Sequence, residues 1–205
     1  MEAKTAAIYH AARTQLLRVD RIQNLFLENA GMTELDALVN FRLASLRSRR
    51  DMALLGLIHR TVLGLGPNQF QRFFRLDENR RNPEGRESER RHSLQLITHR
   101  TGKYLKLLGD SILGLVDVYN LLPAYVVAAG DVSNFQKRLQ GNMVDAARRG
   151  LLNWQELYSP RLAMYMHPLR KRMPARNTNV VGTTPGTARV SGTNRCVNGW
   201  LRFAQ

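Results

Sequence analysis

Apolar residues recur along the first part of the chain with a helical period. Between Ala3 and Glu28 the positions Ile8, Ala12, Leu16, Val19, Ile22 and Phe26 follow at spacings of 4, 4, 3, 3 and 4, which predicts a helix with one buried stripe. Gly31 is placed to stop it. Thr33 followed by Asp36 offers an N-cap with an acid in the first turn, predicting a short second helix through LDALVNF. Ser45 or Ser48 can cap a third, in which Leu54, Leu57, Ile58, Thr61, Val62 and Leu65 line one side until Gly64, Gly66 and Pro67 end it. Pro67 then opens a short helix carrying Phe70, Phe73 and Phe74.

The pattern breaks at residues 77–93, DENRRNPEGRESERRHS, which contain no apolar side chain and mix both charge signs with Pro83 and Gly85. That composition predicts a solvated hinge and the weakest point of the folded region. SLQLITH, residues 93–99, alternates apolar and polar positions like a lone strand, although a single strand cannot form a sheet. Helical spacing resumes from Lys103 with Leu105, Leu108, Ile112, Leu115, Val116 and Tyr119 ahead of Pro123. It continues after Asp131 with Phe135, Leu139, Met143, Ala146 and Ala147, where Ser133 and Gln136 resemble a capping box and Gly150 a stop. No repeat recurs at a fixed period. The expected fold is therefore mostly α, an irregular bundle of five to seven helices. Residues 1–76 would form an N-terminal helical segment, 77–93 the hinge, 94–160 a C-terminal helical segment and 161–205 a largely disordered basic tail. The tail is expected to be disordered because NTNVVGTTPGTARVSGTN buries too little surface to offset about 1–2 kcal/mol per ordered residue.

Charge changes this picture from fold toward partner. The 205 residues carry 31 Lys+Arg against 16 Asp+Glu, a net +15 that favours polyanionic partners. The excess is uneven: residues 104–160 are neutral, whereas 161–205 hold eight basic groups and no acid. Arginine outnumbers lysine 26 to 5, which suits bidentate phosphate contacts and equally follows from a GC-rich coding sequence. One cysteine, Cys196, excludes an internal disulfide framework and zinc fingers. The longest uncharged run, Val118 to Gly130, is 13 residues and includes Pro123, short of the roughly 20 needed for a membrane span. The opening residues lack a secretory pattern, so an intracellular location, nuclear or cytoplasmic, is expected without membrane partners.

Three stretches, LLRVDRIQNLFLENAG, FRLASLRSRRDMALLGLIHRTVLGLGPNQFQRFF and DVYNLLPAYVVAAGDVSNFQKRLQ, occur in an order that resembles a known family. They are similar to the region following the polymerase palm in LINE-like non-LTR retrotransposon reverse transcriptases. The matching pieces begin with Leu-Arg-Val-x-x-Ile-Gln at Leu17 to Gln23 and Leu-x-x-Arg-Arg at Leu46 to Arg50. The pair His59–Arg60, then Gly64 with Pro67, follow them. Last comes the aromatic-Asn-x-Leu-Pro of Tyr119 to Pro123, which precedes Phe135 and Leu139. The likeness extends from Leu17 to about Pro160. It implies a thumb-like helical region that grips a template–primer duplex of RNA or DNA, with the remainder of a reverse transcriptase as a further partner. Catalysis in that family needs a Phe/Tyr-x-Asp-Asp turn and a third Asp holding two magnesium ions, and no Asp-Asp pair occurs in this sequence. The fingers and palm are expected to lie outside this chain, so no catalytic residue, metal ligand or cofactor is assigned.

Candidate chemistry is thus confined to basic clusters. The histidines 10, 59, 92, 99 and 167 have no helical ligand spacing, and Ser45, Ser48, Ser93 and Ser133 are explained as caps. Arg42, Arg47, Arg49 and Arg50 gather at the start of the third helix, where the dipole disfavours cations and a phosphate would relieve them. They are the first expectation for backbone contacts. Arg148 and Arg149 at a helix C-terminus come second, and the run Arg170, Lys171, Arg172 and Arg176 offers contacts without sequence choice. Phe70, Phe73 and Phe74 are read as core in preference to base-stacking platforms. Two other readings of the whole chain remain open: a helical protein-interaction module, and a translated retroelement relic without selected function.

Overall fold

In a computed structural model the chain is described at residues 9–78, 91–98 and 105–170. The expectations placed on residues 79–90 and 171–205, including Lys171, Arg172, Arg176 and Cys196, lie outside the described residues. Local sequence sets most helix ends. Helix α1 (Arg13–Asn29) starts at Ala12 without a side-chain cap and ends where Gly31 takes φ +64°. Met32 N–H reaches back to Leu27 O and Gly31 N–H to Glu28 O there. Helix α2 (Glu34–Phe41) carries the expected capping box, with Asp36 N–H donating to Thr33 Oγ1 at 3.1 Å. Helix α3 (Leu46–Val62) is capped by Ser45, which accepts from Ser48 N–H. A one-turn α4 (Asn68–Gln71) follows Pro67.

The second half is a series of short helices leading into a long one. These are α5 (Leu105–Gly109), α6 (Leu115–Asn120), α7 (Ala124–Val127) and α8 (Val132–Arg148), with a 3-10 turn at Ile112–Gly114. The cap of α8 is Asp131, whose Oδ1 accepts from Asn134 N–H at 2.8 Å; the expected Ser133–Gln136 box does not form because Ser133 lies inside the first turn. Strand character at 93–99 reduces to one antiparallel bridge, Leu76 to Leu96, the only β pairing among the described residues.

Helix α3 is central to the described helices. Instead of burying one side it is enclosed along its length, from Leu46 to Thr61, by α1, α6 and α8. Gly56 makes room for α8: a Cβ there would lie 3.3 Å from Val132 Cγ1 and 2.6 Å from Gln136 Nε2, so side chains of α8 sit directly on the α3 backbone. Leu55 and Ile58 of α3, Val118 and Tyr119 of α6, and Phe135, Leu139 and Met143 of α8 share one core. The N- and C-terminal helical segments share this core, as a single bundle requires. Both sides of the charged stretch feed the same apolar cluster.

Three further expectations are corrected. The stripe on α1 buries Leu16 but not Ile22 or Phe26; Gln23 and Leu27 take the inward face instead. The charged stretch ends in a fixed anchor, because His92 is buried with Nε2 bonded to Tyr119 O at 2.9 Å. Arg91 donates to the carbonyls of Leu121, Leu169 and Arg170. Packing also continues past residue 160. Tyr158 donates to Leu139 O at 2.7 Å, Arg161 donates to Tyr9 O at 2.8 Å, and His167 and Leu169 are buried.

Candidate nucleic-acid interface

The arginines expected to meet phosphate at the start of α3 are drawn together, but most turn toward acids and amides of the same chain. Arg50 is buried and forms a two-point ion pair with Asp20 of α1, at 2.7 and 2.9 Å. Arg47 lies 2.6 Å from Glu156 and reaches Ser159 Oγ at 3.3 Å. Arg49 donates to Gln23 Oε1 at 3.3 Å. A helix N-terminus disfavours cations, and anions close to them offset the cost. They come from Asp20 and Glu156, so Arg47 and Arg50 are not available to a phosphate in this arrangement. Arg42 alone of the four is exposed, at a left-handed corner with φ 57°.

Asp51 sits behind these arginines. Tyr9 donates to its Oδ1 at 2.7 Å, while Oδ2 has no hydrogen-bond partner. Burial pushes the Asp51 carboxyl up to about 7, against the Tyr9 hydrogen bond and the positive fields of Arg47, Arg50 and Arg161. Tyr9 is raised well above its ordinary value, first by burial and then by Asp51, so its hydroxyl remains a donor. The cleft between Tyr9, Leu16, Asp20, Arg50, Asp51 and Arg161 has room for about one water molecule. It lies where α1 packs on α3.

The buried histidines are structural. His59 stacks on Phe135 at 4.1 Å, with Nδ1 3.0 Å from Tyr119 Oη and Nε2 3.0 Å from Ala129 O. Burial lowers its pKa, so the neutral ring donates from Nε2 and accepts the Tyr119 hydroxyl at Nδ1. Burial also lowers His92, and takes His167 down to about 4. Among the described residues no three His, Cys, Asp or Glu side chains gather as a metal site. Asn120 of the aromatic-Asn-x-Leu-Pro motif grips Leu96 on both sides, accepting its N–H and donating to its C=O at 2.8 Å each. Nothing in the sequence signalled this pairing, since the partners meet only in the fold.

A basic surface does exist, on the outer face of α8. Phe135, Leu139, Met143, Ala146 and Ala147 face the core, which leaves Lys137 and Arg148 exposed on the opposite side, with Arg138 and the C-cap Arg149 exposed to one side of them. Lys137 and Arg148 stand eleven residues apart, about 16 Å along the axis. Tyr125 O accepts from Arg138, which orients that guanidinium. Gln140 donates to Arg42 O, so the exposed Arg42 corner flanks the same helix. Sequence reasoning ranked Arg148 and Arg149 second and missed Lys137 and Arg138, although their helical spacing opposite the apolar stripe would have revealed them. Of the tail run only Arg170 is described; it is exposed and its carbonyl is held by Arg91.

No family model, curated protein or solved structure matches this chain. Among the described residues no helix is long and apolar enough to cross a membrane. Phe74 is buried, and Phe70 and Phe73 are partly buried against the core, with Arg72 lying over the Phe73 ring. What the exposed groups can do chemically is hold anionic oxygens along a helix surface by charge-assisted hydrogen bonds.

Proposed function

We propose that this helical body binds duplex nucleic acid through its sugar-phosphate backbone, in the manner expected of a region downstream of the palm in a non-LTR retrotransposon-type reverse transcriptase. The observation that carries the reading is the exposed cationic surface of α8, with Lys137, Arg138 and Arg148 on the helix and Arg149 at its C-cap, flanked by Arg42. It lies on a chain with a net charge of +15. The groups sit on a rigid helix and not on the α3 terminus, where Asp20 and Glu156 already neutralise the arginines. Such contacts position a duplex and read no sequence. With no Asp-Asp pair in the chain, the body supplies grip and no nucleotidyl transfer of its own.

Binding of RNA–DNA hybrid and DNA duplexes of several unrelated sequences tests this. Affinities should agree across sequences, and their logarithm should fall linearly with log salt. Primer extension with magnesium and deoxynucleotides should stay at the level of a no-protein control. No binding at 50 mM salt, or extension that survives removal of contaminating polymerases, would overturn the proposal. In the first case the reading as a helical protein-interaction module takes its place, favoured by the exposed apolar face of α1.

A further inference from the structure

Helix α1 carries two apolar faces, and the fold uses one. Leu16 and Leu27 pack inward with Gln23 and Asp20, whereas Ile22, Leu25 and Phe26 remain 53%, 47% and 59% exposed on the far side. Three large apolar side chains within two turns form a contiguous patch of the kind that marks an interaction site. The far face has a coiled-coil register. Arg18, Ile22, Leu25 and Asn29 follow at spacings of 4, 3 and 4, with Arg21 and Glu28 along one flank. Val19 and Phe26 run along the other flank.

That register is complementary to itself when reversed. In an antiparallel pair of α1 helices related by a two-fold axis, Ile22 of each copy meets Leu25 of the other, and Arg18 meets Asn29 at either end. The flanks then place Arg21 beside Glu28 of the other copy twice, and Val19 beside Phe26 twice. Among the described residues neither Arg21 nor Glu28 has an ion-pair partner within its own chain. We infer that the outer face of α1 is a self-association surface, on which a second copy of this chain seats α1 antiparallel to α1. In a parallel arrangement the Arg21–Glu28 flank of each helix faces the Val19–Phe26 flank of the other and the charges go unmatched, so charge favours the antiparallel one. The inference does not depend on the nucleic-acid reading, whose basic row lies on α8.

A contact limited to a 17-residue helix pair falls at the small end of specific interfaces, so the dimer is weak and dissociates on dilution. Sedimentation of the full chain from about 1 to 100 μM tests it, at near-physiological salt. The expected result is a monomer–dimer equilibrium that Leu25→Asp abolishes while helical content is unchanged. Charge exchange then tests the register. Arg21→Glu alone and Glu28→Arg alone each place like charges together at two positions, weakening self-association about tenfold or more. An equimolar mixture of the two variants regains near wild-type association as a heterodimer, because every flank pair is again opposite in sign. A monomer throughout the range overturns the inference, and binding of that monomer to anionic vesicles through Leu25 would assign the face to a lipid surface. A dimer indifferent to both charge variants overturns it too, since association would then use another surface.

Discussion

The Asp51 carboxyl makes one residue responsible for a pH dependence whose sign is fixed by its surroundings. Its pKa in the fold is raised from the ordinary 3.8 to about 7, chiefly by burial. The protonated form is therefore favoured by the native state, and the resulting stability is complete below the ordinary carboxylate range and lost as pH rises through about 7. His59, His92 and His167 act in the opposite sense. Their pKa values are lowered by burial, His167 to about 4, so their contribution is present above the unfolded value of 6.5 and is lost as pH falls through the folded ones. Asp51→Asn keeps an acceptor for Tyr9 and removes the titration. The variant should gain on the wild type between pH 4 and 7, by an amount on the order of a few kcal/mol at pH 8, in denaturant unfolding. Parallel stability curves across that range would contradict the assignment. The arginine cluster shows why such environments escape a sequence reading. Arg50 finds Asp20 across 30 residues and Arg47 finds Glu156 across 109. Proximity to a helix dipole can be read locally, but the identity of the neutralising anion cannot.

At the scale of elements, Asn120 joins α6 to the segment that carries Leu96. Its side chain satisfies both the N–H and the C=O of a residue only 2% exposed, acting as the missing neighbour of a one-residue bridge. Asn120→Ala leaves two buried backbone groups without partners, a cost of about 2–6 kcal/mol at roughly 1–3 each. Amide exchange of residues 94–97 should accelerate more than that of α3. Equal acceleration throughout would show that Asn120 acts on global stability alone. Caps were legible because they are local: Thr33 with Asp36, and Gly31, Gly64 and Gly150 with positive φ, need only neighbours within a turn. The apolar face of α8 was legible because it has one such face. Helix α1 was not. It has two, and its inward face includes the polar Gln23, which donates to Ala44 O at 3.2 Å, and Asp20 paired with Arg50. Periodicity reports that a helix has an apolar side; the neighbouring helices decide which side is buried.

At the scale of the whole molecule, the basic residues divide into two populations that composition counts as one. Arg47, Arg50, Arg91 and Arg161 bind acids and carbonyls of the same chain and hold the helices together. Lys137 and Arg148 face outward from α8 and Arg149 from its C-cap, with Arg138 exposed beside them although it also donates to Tyr125 O. The central claim is that the second population, not the first, meets phosphate. It is tested most directly by the salt dependence of duplex binding in two combined variants, one with Lys137, Arg138, Arg148 and Arg149 changed to Gln, the other with Arg47, Arg49 and Arg50 changed to Gln. Each phosphate contact contributes about 0.9 to the slope of log affinity against log salt. The α8 variant should flatten the wild-type slope by up to roughly three to four units with its melting temperature preserved, while the α3 variant should melt lower and keep the wild-type slope in its folded fraction. An α8 variant with the wild-type slope, or a slope lost only on changing the α3 arginines, would contradict the account.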